Sequence, residues 1–257
     1  MNFDNTDWYG PSGIRRRASH SLSAQIRRFF LFFPITKIIL MVFVILFVMS
    51  YTFSWLFNIS IDSIYIYLGL VPFLLIRGIF VWTIFTYMFI HANLIHLLSN
   101  AIVLYFIGRY VEAWLGSRDY ILTFIICGLS AALLTLLAAI TLPYINPRAG
   151  FLMDTLYLGA SGAILGLFSV LAMDRPNTEM IFFFFLPPFI IIPYKGKAKN
   201  LLYMIALVEL ILGILAFPFD IWGHFGHLGG LLSGVILYKY FLWKKIYTRQ
   251  YGVEFRG

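Results

Sequence analysis

Six polar residues of this chain belong to types that could do chemistry together. They are His91, His96, Asn100, Ser161, His224 and His227. A serine hydroxyl becomes a nucleophile when a base within hydrogen-bond reach takes its proton. A histidine can be that base and can later return the proton to a leaving amine. These residue types indicate acyl transfer, provided that the fold brings them together.

Each of these residues also has a plainer interpretation. A lone serine between glycines in an apolar helix is more often a helix-packing residue than a nucleophile. A lone histidine within a membrane can be structural. The stretch around Ser161 also differs from the G-x-S-x-G nucleophile elbow, because Ala163 stands where the last glycine would be. Only the position of all six residues in the fold can separate the two interpretations.

The composition predicts that this fold lies in a membrane. The chain has 257 residues, of which 61% are hydrophobic and 12% charged. Soluble domains carry about 25% charged residues, so an all-α polytopic membrane protein is expected. Its one cysteine, Cys127, lies in an apolar run, which excludes a disulfide framework and a cysteine-based metal site.

Six apolar stretches are predicted to be membrane helices, at about 37–58, 93–113, 120–141, 159–173, 199–217 and 224–243. They define a membrane domain, 37–243, between a polar and basic N-terminal tail, 1–36, and a short basic C-terminal tail, 244–257.

The connections between these helices are predicted not to span. Residues 59–92 are amphipathic and aromatic-rich, which is typical of an interfacial segment. Pro143 and Pro147 are expected to end the third helix, leaving 142–158 as a loop. Residues 180–194 are apolar but short and proline-containing, which favours an interfacial or partly inserted segment.

The basic residues indicate the orientation of the chain. With the N-terminus inside, seventeen of the 19 lysines and arginines fall on the inner side, and only Arg77 and Arg148 fall outside. This asymmetry follows the positive-inside rule and predicts six helices with both termini cytoplasmic. It also explains the net charge of +8 without nucleic acid.

In this topology the second, fourth and sixth helices run in the same direction. The six polar residues then lie near the outer starts of these three helices. Small residues repeat every four positions in two of the helices, at Gly162, Gly166, Gly226, Gly230 and Gly234. Such spacing lets helix backbones approach closely, so His227 can reach Ser161. The Ser161 amide, the Asn100 side chain and the His96 ring are then suitable donors for an oxyanion.

The same residues resemble the motifs of the rhomboid family of intramembrane serine proteases, over about residues 80–235. His91 followed by H-x-x-x-N at His96 and Asn100, and G-x-S-G at 159–162, match the family pattern. H-x-x-G-x-x-x-G at 227–234 and a glutamate at Glu112 also match.

The resemblance implies a six-helix rhomboid-like bundle with a Ser161–His227 dyad and an oxyanion hole of His96, Asn100 and the Ser161 amide. Residues in supporting positions are His91, Gly159, Gly162, Gly230, Gly234, Glu112 and Trp82. It further implies membrane-protein substrates, contact with lipids, and no cofactor, metal or nucleic acid. The compact core and short tail favour a prokaryotic plasma membrane.

Three positions depart from the pattern or have no counterpart in it. The family's Trp-Arg pair is here Trp82 followed by Thr83, and an aromatic that often packs on the catalytic histidine is here Leu165. Glu209 lies in the middle of the fifth predicted helix. An ionisable residue there is a functional candidate, or a group that is neutral or paired inside the bundle.

Three other functions are compatible with parts of the sequence. A non-catalytic rhomboid-like protein would bind membrane clients, although it would be expected to lack the serine or the base. His224 and His227, with His91 and His96, could ligate a haem or a metal, but there is no H-E-x-x-H motif. Glu209 could belong to a transporter, against which the absence of an inverted repeat weighs.

Overall fold

The computed structural model of the chain describes residues 33–186, 190–215 and 223–251. The predictions for most of the N-terminal tail and for the last six residues of the C-terminal tail lie outside the described residues.

The described chain is mostly helical. The helices are α1 (Pro34–Phe57), α2 (Ile61–Leu68), α3 (Pro72–Ile76), α4 (Thr83–Thr86), α5 (Leu94–Leu115), α6 (Ser117–Ile145), α7 (Ser161–Asp174), α8 (Ala198–Leu215) and α9 (His224–Tyr251). Short 3-10 helices cover Tyr87–Phe89 and Pro147–Met153. Strands β1 (Glu179–Leu186) and β2 (Ile190–Lys197) pair antiparallel, with Glu179 opposite Lys197.

Four of these helices, α1, α5, α6 and α8, are long and apolar enough to cross a membrane. Helix α7 is apolar but shorter, with 14 residues, or about 21 Å at 1.5 Å per residue. It is also the central helix of the bundle, since it packs against α5, α6, α8 and α9. Its side chains Leu167, Phe168 and Val170 are fully buried.

Glycines bring α7 and α9 into backbone contact. A Cβ atom at Gly230 would overlap the carbonyl oxygen of Gly162, and one at Gly234 would overlap that of Gly166. Any larger residue at these positions would push the two helices apart. The start of α9 is thereby held against the start of α7.

The segment between α1 and α5 is bonded to the residues that precede α7. Leu70 and Tyr157 exchange two backbone hydrogen bonds, of 2.9 and 2.8 Å. The Gly159 N–H donates to the Tyr87 carbonyl at 2.9 Å. The backbone just before Ser161 is therefore fixed by the segment 59–92, whose helices α2, α3 and α4 have at most eight residues.

Four details of the predicted secondary structure are wrong. The sixth predicted helix does not end near 243, because α9 continues to Tyr251. Residues 244–251 contain no glycine or proline that would stop a helix, so more than half of the predicted C-terminal tail is helical.

Helix α6 does not end before Pro143 but continues through it to Ile145, and 147–153 is a 3-10 helix rather than open loop. The last turn of a helix already has carbonyl groups without a partner in the helix. A proline there removes only one further backbone hydrogen bond, so the helix tolerates it.

A further error concerns residues 180–194, predicted as an interfacial or partly inserted segment of an all-helical protein. Its described residues are not helical, while its position relative to the membrane stays a prediction. Both flanks of this stretch belong to the β1–β2 hairpin, while Pro187 and Pro188 lie outside the described residues. A short apolar run bounded by prolines does not by itself distinguish a helix from a strand. Each strand has eight residues, which is a usual length for a strand and too short for a membrane helix.

Candidate active site

The Ser161 hydroxyl and the His227 imidazole face each other at the starts of α7 and α9. Ser161 Oγ lies 2.8 Å from His227 Nε2, which is a full hydrogen bond. Helix α7 begins at Ser161 itself, after Ala160. Because an alanine has no polar side chain, it does not cap the first backbone N–H groups of the helix.

Gly159 determines how closely α5 can approach the backbone next to this pair. Its φ of +108° is one that L side chains rarely adopt. A Cβ atom there would lie 2.6 Å from His96 Nε2 and 3.9 Å from Asn100 Nδ2. The side-chain nitrogens of both residues therefore lie against the backbone two positions before Ser161.

His96 and Asn100 occupy one face of the first turns of α5. The Asn93 side chain caps this helix by accepting a hydrogen bond from the His96 N–H at 2.9 Å. Asn100 is buried, and its Nδ2 donates to the His96 carbonyl at 2.9 Å. Together with the first N–H groups of α7, these nitrogens form a set of donors suited to a negatively charged oxygen.

His91 packs behind this set, in the segment before α5. Its ring lies edge-on to His96, with centroids 5.2 Å apart, and 4.6 Å from the Phe43 ring. Within the described residues neither ring nitrogen has a hydrogen-bond partner. Burial, with His96 nearby, lowers the pKa of His91 to about 3, so the ring is neutral and serves as packing for His96.

Glu209 and His224 belong to the same cluster, through contacts that the sequence patterns did not predict. Glu209 Oε1 lies 3.0 Å from Nδ1 of His227, and its Oε2 lies 2.6 Å from Nδ1 of His224. The side chains of Glu209, His224 and His227 are 15%, 12% and 16% exposed. Glu209 is therefore paired inside the bundle, as one of the two interpretations of this residue expected.

Sequence signals for this contact exist on both helices. His224 and His227 are three residues apart at the start of α9 and share a face. Gly213, one turn after Glu209 in α8, allows α9 to approach α8 closely. A Cβ atom there would lie 3.0 Å from the Phe225 ring and 3.4 Å from His224 Cβ.

Glu112 lies at the opposite end of α5 and bonds other residues. Its Oε2 accepts hydrogen bonds from the Thr36 N–H and hydroxyl, at 2.9 and 2.8 Å. Its Oε1 accepts from the Ile35 N–H at 3.0 Å and the Ser117 hydroxyl at 2.8 Å. Glu112 thus ties the start of α1 to the turn between α5 and α6, far from Ser161 in the fold.

Trp82 bonds within the segment before α5. Half of its side chain is exposed, and its Nε1 donates to the Tyr67 carbonyl at 2.8 Å. The neighbouring Thr83 is buried. Leu165 is partly buried against the core, one turn after Ser161. These residues support the fold of the segment before α5 and the packing of α7.

One group of described residues could hold a metal ion. A nitrogen or oxygen from each of Glu209, His224 and His227 lies within 4.8 Å of the others. The same atoms are already joined by the two short hydrogen bonds of the carboxylate.

The fold and the cluster define a class of protein, a helical membrane bundle that holds a serine–histidine pair between its helices. The Rhomboid domain family matches residues 80–244, more than half of the chain. The chain belongs to the rhomboid family.

Similar proteins are known from Arabidopsis thaliana. RHOMBOID-like protein 2 is 30% identical over 156 residues, which cover 61% of this chain and 41% of that protein. RHOMBOID-like protein 1 is 30% identical over 162 residues, covering 63% and 35%. RHOMBOID-like protein 6, mitochondrial, is 28% identical over 156 residues, covering 61% and 42%. The chain thus spans less than half the length of these curated relatives.

The family and the apolar helices establish an integral membrane protein, as predicted. The relatives named above are plant proteins. They give no support to the predicted prokaryotic plasma membrane, which stays a prediction.

Proposed function

We propose that this protein is a serine endopeptidase that hydrolyses peptide bonds in or near the transmembrane helices of membrane-protein substrates. Ser161 is the nucleophile and His227 is its general base and acid. The observation that carries the proposal is the 2.8 Å contact between Ser161 Oγ and His227 Nε2. It lies at the start of α7, two residues after Gly159, whose backbone the side-chain nitrogens of His96 and Asn100 approach.

Acylation follows from this contact. Ser161 Oγ attacks the carbonyl carbon of the scissile bond while its proton passes to His227 Nε2. The tetrahedral intermediate carries a negative oxygen and His227 a positive charge. When the C–N bond breaks, the proton moves from His227 Nε2 to the leaving amine. An ester between Ser161 and the N-terminal part of the substrate remains.

The oxyanion is stabilised by donors that are in place before the reaction. They are the Ser161 N–H, the Asn100 side-chain amide and the His96 ring. The N-terminus of α7 adds the positive end of its helix dipole. Preorganised donors of this kind contribute most when they need no rearrangement, and one donor can be worth about 10²–10³ in kcat.

Deacylation repeats the sequence with water. His227 Nε2 takes a proton from the water as its oxygen attacks the ester carbonyl, and the proton then returns to Ser161 Oγ. Water must therefore reach a site near the outer end of α7. That helix is shorter than the roughly 30 Å of hydrocarbon, so a cavity open to the outer surface can supply the water.

The proposed topology has six membrane helices, α1, α5, α6, α7, α8 and α9, with both termini cytoplasmic. In this arrangement residues 37–243 form the protease domain, and 1–36 and 244–257 lie on the cytoplasmic side, where 244–251 are the last turns of α9. The basic residues support it through the positive-inside rule. The three helices that carry Ser161, His96 and His227 then start from the outer side.

A cleavage assay tests the proposal. Wild type purified into liposomes should cut a single-span substrate, and Ser161→Ala should not. Ser169→Ala is a matched control, because Ser169 lies in the same helix and, among the residues that the structure describes, its hydroxyl bonds only the Leu165 carbonyl. It should cleave like wild type. Binding of the substrate by folded wild type without any cleavage would favour a non-catalytic client-binding protein instead.

A further inference from the structure

The carboxylate of Glu209 lies between two imidazoles. Each of its two oxygens is hydrogen-bonded to one ring nitrogen. Oε1 lies 3.0 Å from Nδ1 of His227, and Oε2 lies 2.6 Å from Nδ1 of His224. All three side chains are more than four-fifths buried. An acidic residue in an apolar helix is unfavourable unless it is paired, and here both pairing partners come from the first turn of α9.

These contacts determine which nitrogens carry protons. An ionised carboxylate can only accept hydrogen bonds, so each histidine donates from Nδ1–H. A neutral His227 with its proton on Nδ1 has a lone pair on Nε2. That lone pair points at the Ser161 hydroxyl, 2.8 Å away. The hydrogen bond to Glu209 therefore selects the one tautomer of His227 in which it can accept the proton of Ser161.

We propose that Glu209 is the third member of a Ser161–His227–Glu209 triad, in which it orients His227 and stabilises its imidazolium form. This inference rests on the proposed peptidase function. Glu209 is a positioning residue, since it acts on the substrate only through His227. The proton of Ser161 stays on His227 Nε2 in the intermediate, and Glu209 remains ionised throughout. Its negative charge at 3.0 Å favours the positive ring.

His224 and Gly213 hold this carboxylate in place. His224 occupies the second oxygen of Glu209, which leaves Oε1 aimed at His227. Gly213 lets α9 come close to α8, since a Cβ atom there would meet Phe225 and His224. The two hydrogen bonds thus fix the orientation of the carboxylate, which in turn orients the His227 ring. The ring is held in this way without an aromatic residue packed on it, since Leu165 stands at the position where the family often has one.

A bound metal ion is the competing interpretation of the same atoms, because Glu209, His224 and His227 can supply one ligand each. A metal on Nδ1 of His227 would displace the proton to Nε2. That nitrogen would then face Ser161 as a donor and could not accept its proton. The triad and the metal site therefore exclude each other and can be separated by experiment.

Kinetics of liposome-embedded, full-length protein test the triad. Glu209→Gln removes the charge and should lower kcat by about 10²-fold or more with KM within about twofold of wild type. Glu209→Asp keeps the charge on a shorter side chain and should recover at least about a tenth of wild-type kcat. Val208→Ala, at an exposed position of α8 beside Glu209, is the matched control and should have the kcat and KM of wild type.

A second measurement does not depend on cleavage. The ¹⁵N shifts of histidine-labelled wild type should show His227 protonated at Nδ1 and bare at Nε2 near neutral pH. A His227→Asn sample identifies its signals. In Glu209→Gln this tautomer preference should be reduced or lost, because the side-chain amide can offer its N–H₂ group to Nδ1 as well as its carbonyl. Metal analysis of the same wild-type sample should find no stoichiometric metal.

Each outcome decides the matter. Full activity in Glu209→Gln beside an inactive Ser161→Ala would overturn the triad and leave the serine peptidase intact. Wild type that does not cleave, or Ser161→Ala that does, would overturn the proposed function and the triad with it. His227 protonated at Nε2 in wild type, or one equivalent of metal per chain, would also overturn the triad.

Discussion

Glu112 and Glu209 are both glutamates in apolar helices, but their carboxylates bond different partners. Glu112 accepts four hydrogen bonds from backbone N–H groups and hydroxyls, none of which titrates near neutral pH. Glu209 bonds two imidazoles, one of which contacts a serine hydroxyl. The first arrangement can only hold helices together, whereas the second can also support proton transfer. The partners of a buried acid, more than its burial, indicate its role.

The largest expected effect is on the base itself. His227→Ala removes the group that takes the Ser161 proton, and kcat should fall by about 10³-fold or more. The midpoint temperature of thermal unfolding in detergent should change little, because α9 keeps its glycine contacts with α7. Cleavage within tenfold of wild type would mean that His227 is not the base. The contact with His227 would then give Glu209 no role in proton transfer that Glu112 lacks.

The two glutamates can be compared directly by the same isosteric change. Glu112→Gln brings an amide N–H₂ group against donors and should lower the free energy of unfolding by about 3 kcal/mol. The kcat of the molecules that remain folded should stay within about twofold. Glu209→Gln should do the reverse, with a large loss of kcat and a smaller loss of stability. Equal patterns in the two variants would show that the carboxylates have the same role.

Gly159→Ala should affect the side of the site formed by α5. Its Cβ atom would lie 2.6 Å from His96 Nε2, and its φ of +108° is strained for alanine. We expect kcat to fall by about 10-fold to 10²-fold as a donor is displaced. Gly150→Ala is the matched control, because no atom of the described part of the chain lies within 4 Å of a Cβ atom there. Similar activities for the two variants would contradict the assigned role of Gly159.

The smallest effect is expected at Trp82. Trp82→Phe loses the hydrogen bond to the Tyr67 carbonyl at a half-exposed position. The free energy of unfolding should fall by about 1 kcal/mol or less, and kcat should be unchanged. Chemical unfolding and the cleavage assay would check both. A tenfold loss of kcat would mean that the segment before α5 affects the chemistry directly.

The proximity of Ser161 and His227 could be predicted because local sequence patterns encode the contact. Small residues every four positions mark a helix face that can approach another backbone. Gly162 and Gly230 lie on those faces, and their contact brings the serine and the histidine within hydrogen-bond distance.

The contact of Glu209 could not be predicted in the same way. It depends on the rotation of α8 about its axis, and an apolar helix in lipid has no polar face to indicate that rotation. The local signals are Gly213 and the spacing of His224 and His227, and neither identifies the face of α8 that meets α9. A single glycine is common in membrane helices whatever they pack against. The β1–β2 hairpin was missed for a related reason, since a short apolar run lacks the periodicity that separates strand from helix.

Cleavage of a single-span membrane substrate by wild type beside Ser161→Ala tests the central claim most directly. Both proteins would be reconstituted in the same liposomes at equal folded concentration, and the product would be identified by mass. We predict a single new peptide-bond cleavage in or near the substrate helix with wild type, and none with Ser161→Ala. Equal cleavage by the two proteins would contradict the claim that Ser161 is the nucleophile.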